Sequence, residues 1–223
     1  MMIRAILFLT TFPITMMVLA QEKIKIGVFI YPEMELQDFA GPTDVFVKAN
    51  RYTDDQYELL LFSEDGEAIQ TERKSVNLVP DYSFVNLPKV NMIVVPGAPV
   101  AIAKELAQKS EVANFLGFQS QSGTTMCSVC TGAYFLAYAG ILDGHKFTTH
   151  YLDAQDIAKE FPKAEIIANV RFVDSNQVLT ASGITSGIDL GLYIVEKFSG
   201  KEVQHKVSHL MQYDYQENQQ WPE

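Results

Sequence analysis

One short segment combines a reactive side chain with the local pattern of a catalytic turn. Residues 126–133 read MCSVCTGA, so an apolar run ends at Cys130 and small residues follow it. A strand that leads into a nucleophile and then turns at once into a helix is a nucleophile elbow. The helix N-terminus is expected to lower the thiol pKa and to offer backbone N–H groups to an oxyanion. Cys130 is therefore predicted to be a nucleophile, the alternative being a small buried apolar residue.

The two cysteines of the chain, Cys127 and Cys130, also form a C-x-x-C motif. This motif raises the alternative of a redox pair. If residues 127–129 are extended, the two Cα atoms lie about 10 Å apart. A disulfide requires less than about 7 Å. We therefore predict that Cys127 is a core residue within the strand.

Two histidines near the end of the chain have a spacing that can bind zinc. His205 and His209 are spaced i, i+4, but the segment reads HKVSH and lacks the glutamate of H-E-x-x-H. A third ligand is not evident in the sequence. We predict that both histidines lie on a solvated helix face, and we predict neither a metal nor another cofactor.

The elements that must position these residues alternate between strands and helices. Strands are predicted at 24–31, 57–62, 91–95, 124–129, 171–173 and 178–181, with a short segment at 145–148. Helices are predicted at 41–50, 99–108, 111–121, 131–139, 153–160, 188–198 and 202–212. The polar segment 69–79 is interpreted as an edge hairpin. The alternation predicts one domain over 21–223, a three-layer α/β sandwich with a mostly parallel sheet. Ligands bind beyond the carboxyl ends of the strands in such sheets.

Several motifs, in this order, resemble the ThiJ/PfpI superfamily of class I glutamine amidotransferase-like proteins. They are LQDFAGPTDVF, VVPGAP, SVCTGA and TTHY. The later segments TASGITSGIDLGLYIVEKF and MQYDYQ are similar to its isonitrile hydratase-like branch, which AraC-type regulators share as a sensor domain. The resemblance runs from about Lys23 to Tyr215. It implies a flavodoxin-like fold, a cysteine nucleophile and a homodimer.

Carried over to this sequence, the resemblance makes Cys130 the nucleophile and places Asp38 against its sulfur. A partly buried carboxyl group beside a thiolate has a raised pKa and can donate a hydrogen bond or transfer a proton. The alternative for Asp38 is a cap on a helix that begins at Gly41. Glu33 and Glu35 are nearby competitors for the acidic role, with a solvated loop as their default.

The resemblance also implies roles for four further residues. The N–H of Thr131 can stabilise an oxyanion, and its hydroxyl can reach substrate or water. Gly97 and Ala98 follow the third long strand and correspond to further oxyanion or substrate-binding donors, since glycine permits a close backbone approach. The alternative is a simple Pro-Gly turn. His150 is expected near the cysteine, as a thiolate partner or as a structural residue.

The resemblance implies a cysteine enzyme that acts on a small electrophile, most like an isonitrile hydratase. The Cys130 thiolate adds to the isonitrile carbon, and water positioned by Asp38 and Thr131 then releases an N-substituted formamide. A hydrolase or glyoxalase of the same fold remains open, as does a non-catalytic ligand-binding, redox-sensing or stress-protective protein. Peptidase activity is disfavoured because Thr131 replaces the histidine that follows the cysteine in the related peptidases. Specificity is expected to depend on pocket shape and on the polar segment 64–80.

The first twenty residues have the layout of a secretory signal peptide. Arg4 precedes an apolar run over 5–19, and small residues stand at Val18 and Ala20 before Gln21. The alternatives are an uncleaved membrane anchor and a misassigned start, and the anchor is disfavoured because the run is shorter than the ~20 residues that span a bilayer. We predict that the mature protein begins at Gln21, is exported to the periplasm or secreted, and makes no membrane contact after cleavage.

The charge of the chain disfavours some classes of binding partner. The chain has 223 residues with 17 Lys and Arg against 27 Asp and Glu, a net charge of −10. Such an acidic surface repels phosphate backbones, so nucleic acid is not an expected partner. We expect no DNA-binding module of the kind that the related regulators carry, since Glu223 stands about ten residues after the last predicted helix. The expected partners are a small-molecule substrate and a second copy of the chain.

Overall fold

A computed structural model describes residues 22–215, and the predicted signal peptide at 1–20 lies outside these residues. The strands are β1 (Ile24–Phe29), β2 (Tyr57–Ser63), β3 (Ile69–Gln70), β4 (Asn77–Leu78), β5 (Tyr82–Ser83), β6 (Met92–Val95), β7 (Thr125–Val129), β8 (Lys146–Phe147), β9 (Glu165–Ile166), β10 (Phe172–Ser175) and β11 (Val178–Ala181). The helices are α1 (Leu36–Ala49), α2 (Val100–Ala107), α3 (Ser110–Gln121), α4 (Ala133–Tyr138), α5 (Ala154–Glu160), α6 (Ser186–Ser199) and α7 (Lys201–Leu210).

The main sheet has seven strands in the order β10-β11-β7-β6-β1-β2-β5. All neighbouring pairs are parallel except β10 with β11. The central strand β6 reads MIVV and is buried throughout, as expected of a strand covered on both faces. Helices α1, α6 and α7 pack together, as do α2, α3 and α4. Crossovers between parallel strands are right-handed as a rule, and with this strand order the rule puts the two groups of helices on opposite faces of the sheet. The predicted three-layer α/β sandwich with a mostly parallel sheet is confirmed.

The first helix begins earlier than the sequence suggested. It starts at Leu36, so Gly41 and Pro42 lie inside the helix and not at its start. The prediction was wrong because proline is favoured in the first turn of a helix, and Gly-Pro was therefore taken as its beginning. The consequence is that Asp38 stands in the first turn of α1.

The polar segment 69–79 forms the predicted hairpin, but this hairpin is not an edge of the main sheet. Strands β3 and β4 pair with each other as a separate antiparallel sheet. The edge strand beside β2 is β5, a two-residue strand without a pattern that sequence could reveal. The helix predicted at 131–139 consists of a 3₁₀ turn, Cys130–Gly132, followed by α4. Between residues 22 and 215 none of the helices has both the length and the hydrophobicity of a membrane span.

Candidate active site

Cys130 occupies a strained turn at the carboxyl end of β7. Its φ of 58° lies in the left-handed region, which is uncommon for residues other than glycine. The residue begins the 3₁₀ turn that leads into α4, so strand, cysteine and helix follow one another as in a nucleophile elbow. The residue is 7% exposed. Strain of this kind persists only where the surrounding structure enforces it, and it is concentrated at functional sites.

Two glycines make the elbow possible by allowing backbone to pass close to it. A Cβ at Gly132 would lie 2.2 Å from the carbonyl oxygen of Val95, at the end of the neighbouring strand β6. A Cβ at Gly183 would lie 2.5 Å from Cβ of Cys130, and Gly183 itself has a φ of 95°. The sequence analysis did not assign Gly183 to the site, although it stands in the TASGITSG motif. The elbow is thus enclosed from two sides by backbone.

Asp38 is fully buried beside the nucleophile and is not a helix cap. Its Oδ2 accepts a hydrogen bond from the N–H of Gly97 at 3.0 Å, whereas the N-cap of α1 is Glu35, which makes no side-chain cap bond. The carboxyl group also interacts with the thiol of Cys130. Burial raises the Asp38 pKa to about 8, against the opposing effect of the Gly97 hydrogen bond. At neutral pH, Asp38 is therefore mainly a neutral acid that can donate a proton.

The Cys130 pKa moves in the direction opposite to the expectation from sequence. Burial raises it, and so do the charges of Asp38 and Asp153, while a hydrogen bond from the N–H of Thr131 lowers it. The expectation of a lowered pKa was wrong for two physical reasons. The sulfur is more deeply buried than that of a solvent-facing elbow, and the carboxyl groups of Asp38 and Asp153 oppose its ionisation, so that the Thr131 N–H at the helix start does not outweigh them. The resting group is a thiol with an acid as its neighbour.

Thr131 and the loop after β6 form a closed hydrogen-bond arrangement. The Thr131 hydroxyl donates to the carbonyl of Ala98 at 2.6 Å and accepts from the Ala98 N–H at 2.9 Å. Since the Gly97 N–H donates to Asp38, neither loop N–H is free to act as the predicted oxyanion donor. Likewise, the Thr131 hydroxyl gives its one proton to Ala98 and cannot donate a hydrogen bond to substrate or water. Buried polar groups need hydrogen-bond partners, and the buried groups of this site serve as partners for one another. The donor that faces the sulfur is the Thr131 N–H.

His150 lies at the pocket rim and is paired with a carboxylate. Its Nδ1 is 3.7 Å from Oδ2 of Asp153, and both side chains are largely buried. Its neighbour Thr149 contacts the elbow directly, because the Thr149 hydroxyl donates to the Cys130 carbonyl at 2.8 Å. Sequence reasoning missed Thr149, although it stands beside His150 in the quoted TTHY motif.

The other cysteine and the C-terminal histidines occupy the environments predicted for them. Cys127 is fully buried in β7, where burial raises its pKa to about 12, and both cysteines are free thiols. His205 and His209 are exposed on α7. Within residues 22–215, no cluster of three or more His, Cys, Asp or Glu side chains could hold a metal ion.

A pocket of about 410 Å³ opens over Cys130. Val100, Leu152 and Ile184 contribute an apolar surface, and Glu35, Glu72 and Asp153 contribute carboxyl groups. Of the two competitors considered for the acidic role, Glu35 is therefore at the pocket. Glu33 instead accepts a hydrogen bond from the N–H of Arg73. This arrangement can bring a small electrophile to a thiol that has a proton donor beside it.

Comparison with known proteins identifies the family of the chain. The sequence profile of the DJ-1/PfpI family matches residues 24–197. The chain is 28% identical over 192 residues to an isonitrile hydratase from Pseudomonas putida, covering 85% of this chain and 78% of that protein. It is 26% identical over 196 residues to the HTH-type transcriptional regulator GbdR from Pseudomonas aeruginosa, covering 87% of this chain. The chain spans about half, 52%, of the length of GbdR.

Solved structures show the same fold. A THiJ/PfpI family protein from Pseudomonas syringae superposes with a TM-score of 0.77 at 22% identity, covering 87% of this chain and 77% of that chain. Drosophila melanogaster DJ-1beta superposes with a TM-score of 0.75 at 21% identity, covering 87% of this chain and 100% of that chain.

Proposed function

Because the chain belongs to the DJ-1/PfpI family, we propose that it is a cysteine-dependent enzyme that hydrates small isonitriles to N-substituted formamides. The observation that carries this proposal is the pairing of Cys130, in its left-handed elbow, with the buried and mainly protonated Asp38. An isonitrile carbon accepts both a nucleophile and a proton. A thiol beside a neutral carboxylic acid offers both at one point. The similarity to the Pseudomonas putida isonitrile hydratase supports the same substrate class.

In the first step, the sulfur of Cys130 adds to the terminal carbon of the isonitrile. Asp38 donates its proton to that carbon and takes up the proton that the thiol releases, so the carboxyl group ends the step protonated. One S–H bond is broken, one C–S and one C–H bond are formed, and the product is a thioimidate on Cys130. The raised Asp38 pKa favours this role, since a general acid works best when its pKa lies near the working pH.

In the second step, water adds to the thioimidate carbon. One water proton goes to the substrate nitrogen, the C–O bond forms, and the C–S bond then breaks. The second proton returns to sulfur, which regenerates the Cys130 thiol and releases the formamide. The Thr131 N–H, which faces the sulfur, stabilises negative charge on the leaving thiolate.

The test is a product-resolved assay of the protein with cyclohexyl isocyanide, methylglyoxal and a peptide panel. We expect formamide from the isonitrile, detected by NMR or mass spectrometry. Cys130→Ala and Cys130→Ser should both lose turnover, because a serine hydroxyl does not ionise at neutral pH without a dedicated base. Cys127→Ala is the matched control and should keep activity. Formamide production by Cys130→Ala at the unaltered rate would refute the proposed chemistry.

A second candidate is a ligand-binding sensor without turnover. Two observations favour it: the similarity to the regulator GbdR, and the raised Cys130 pKa, which leaves the resting sulfur as a thiol. In that case the wild-type protein should bind a small ligand saturably, as measured by calorimetry. It should convert none of the three substrate types in the same assay.

We also propose that residues 1–20 direct export and are removed. The proposal follows from the Arg4 start, the apolar run and the small residues before Gln21. Intact mass spectrometry of protein recovered from a periplasmic fraction should give a chain that begins at Gln21. Recovery of full-length protein from the cytosol would contradict export.

A further inference from the structure

A buried tyrosine stands beside the reaction centre and is not used by the proposed mechanism. Tyr31 follows β1 by two residues and is 3% exposed. We infer that the Tyr31 hydroxyl is a positioning group for Asp38, on which it acts through the peptide unit between Pro96 and Gly97. The inference rests on the proposed function for the role of Asp38 as the proton donor.

One peptide unit joins the two side chains. The Tyr31 hydroxyl donates a hydrogen bond to the carbonyl of Pro96 at 2.6 Å, and the N–H of Gly97 donates to Oδ2 of Asp38 at 3.0 Å. That carbonyl and that N–H belong to the same planar group, so the two hydrogen bonds lie at opposite ends of one rigid unit. A donor on the carbonyl polarises the unit and strengthens its N–H as a donor. The same bond fixes the direction in which the N–H points.

The peptide unit is packed tightly between the elbow and the acid. A Cβ at Gly132 would lie 2.8 Å from the carbonyl oxygen of Pro96, and a Cβ at Gly97 would lie 2.7 Å from Oδ2 of Asp38. Real Cβ atoms do not approach other heavy atoms so closely. A tilt of the Pro96 carbonyl therefore changes the hydrogen bond at Asp38. The bond from Tyr31 opposes such a tilt.

Tyr31 is suited to this role and not to a catalytic one. Burial raises the pKa of Tyr31 well above its usual range, and the charge of Asp38 raises it further, so the hydroxyl stays protonated and remains a donor. Its one proton is directed to Pro96, and Tyr31 is not among the residues that line the candidate pocket. Its ring is held by Phe29 and Phe135, with centroid distances of 5.3 and 4.9 Å. Tyr31→Phe thus removes the hydroxyl and keeps the ring contacts.

The test follows the ionisation of Asp38 directly, by NMR of the aspartate carboxyl carbons in isotopically labelled protein. The Asp38 signal is assigned by its loss in Asp38→Asn. The Gly97 N–H stabilises the ionised form of the carboxyl group, so a weaker or misdirected N–H raises the pKa. We expect Tyr31→Phe to raise the Asp38 pKa by at least about 0.3 pH units, which is a change of about twofold in the ionisation constant.

The matched control is Tyr57→Phe. Tyr57 is also 3% exposed, and its hydroxyl also makes a hydrogen bond of 2.6 Å, but it stands at the amino end of β2, far from the elbow. Both variants lose one buried hydrogen bond, so the Asp38 pKa separates a positioning role from a merely structural one. The charges of Glu35 and Glu72 and the Cys130 thiol also act on Asp38, and neither variant alters them. Tyr57→Phe should leave the Asp38 pKa unchanged.

Turnover supplies a second measurement if the protein hydrates isonitriles. Tyr31→Phe should lower kcat by at least about threefold, because the proton donor is less well placed. It should leave KM unchanged, since Tyr31 does not line the pocket. In the Asp38→Asn background the same change should cause no further loss, because two residues that act through one proton are not additive.

The inference would be overturned by a rise in the Asp38 pKa of less than about 0.3 pH units, by a fall in that pKa, or by an equal rise in Tyr57→Phe. The NMR titration does not require turnover. A raised Asp38 pKa in Tyr31→Phe without formamide production by the wild type would therefore reject the proposed reaction and support the positioning role. Formamide production with an unaltered Asp38 pKa in Tyr31→Phe would do the reverse.

Discussion

Replacing Asp38 by asparagine should make the protein more stable at neutral pH. In the folded protein the Asp38 pKa is raised from 3.8 to about 8, chiefly by burial, so folding at pH 7 requires this group to take up a proton. Between pH 3.8 and about pH 8 the carboxyl group is ionised in the unfolded chain but protonated in the folded protein. Stability therefore falls as the pH rises through this range. Between pH 3.8 and pH 7 the free energy of unfolding falls by 1.36 kcal/mol for each of about 3 pH units, which is a loss of about 4 kcal/mol in total.

Asparagine has nearly the same shape as the protonated acid and does not titrate. Its carbonyl oxygen can accept the hydrogen bond that the Gly97 N–H now donates to Oδ2. Asp38→Asn should therefore gain up to about 4 kcal/mol at pH 7, a rise in melting temperature of roughly 8–16 °C for a chain of this length. At pH 4 the gain should shrink to under about 1 kcal/mol, because this pH lies close to the unfolded pKa of 3.8, where a large share of the unfolded carboxyl groups is still protonated.

The assay is thermal unfolding of both proteins at pH 4, 5.5 and 7, together with turnover of an isonitrile. Asp55→Asn is a matched control, since Asp55 is an exposed loop residue with a positive φ that asparagine also adopts. It should show no pH-dependent gain. Turnover of Asp38→Asn should fall by roughly 10²–10⁴-fold, since the transferable proton is lost. A melting temperature lowered equally at all three pH values would refute the reasoning.

Three further changes examine the elbow and its sulfur. Thr149→Val removes the hydroxyl that donates to the Cys130 carbonyl; we expect a loss of about 1 kcal/mol of stability and slower turnover, both restored by Thr149→Ser. Gly183→Ala should lower the melting temperature more than Gly140→Ala does, because both glycines have a positive φ but only a Cβ at Gly183 would clash with Cys130. Equal decreases in melting temperature would contradict the packing argument. Peptide mapping after iodoacetamide should find Cys130 labelled and the fully buried Cys127 unlabelled, with a Cys130 rate that still rises above pH 9 because its pKa is raised. A rate that levels off near pH 7 would contradict that direction.

The sequence predicted those parts of the site that depend on local pattern. The elbow at Cys130 could be recognised because an apolar run, a cysteine and small residues follow one another in eight positions. The buried Cys127 followed from the same pattern. The family motif placed Asp38 beside the sulfur, although the start of its helix was misplaced.

The remaining features depend on contacts between distant parts of the chain. Glu72 reaches the pocket from a hairpin of two-residue strands, which have no periodicity to read. The hydrogen bond from the Ala98 N–H to the Thr131 hydroxyl depends on the packing of the loop after β6 against the turn after β7. The direction of the Cys130 pKa shift depends on burial, a property of the packed protein and not of the helix that follows the residue.

The attachment of the β3–β4 hairpin has a consequence for how such a protein can diversify. The reactive sulfur stands at the end of a strand of the main sheet, whereas Glu72 lines the pocket from the segment 69–79, whose two strands form a separate sheet. Main-chain hydrogen bonds tie this hairpin to the segment before α1, from Glu33 to Gln70 at 2.9 Å and from Glu72 to Met34 at 3.0 Å. Main-chain bonds tolerate almost any side chain. Substitution of Glu72, which lines the pocket, therefore changes the surface that faces a ligand while the main-chain attachment of the hairpin and the Cys130 elbow stay in place.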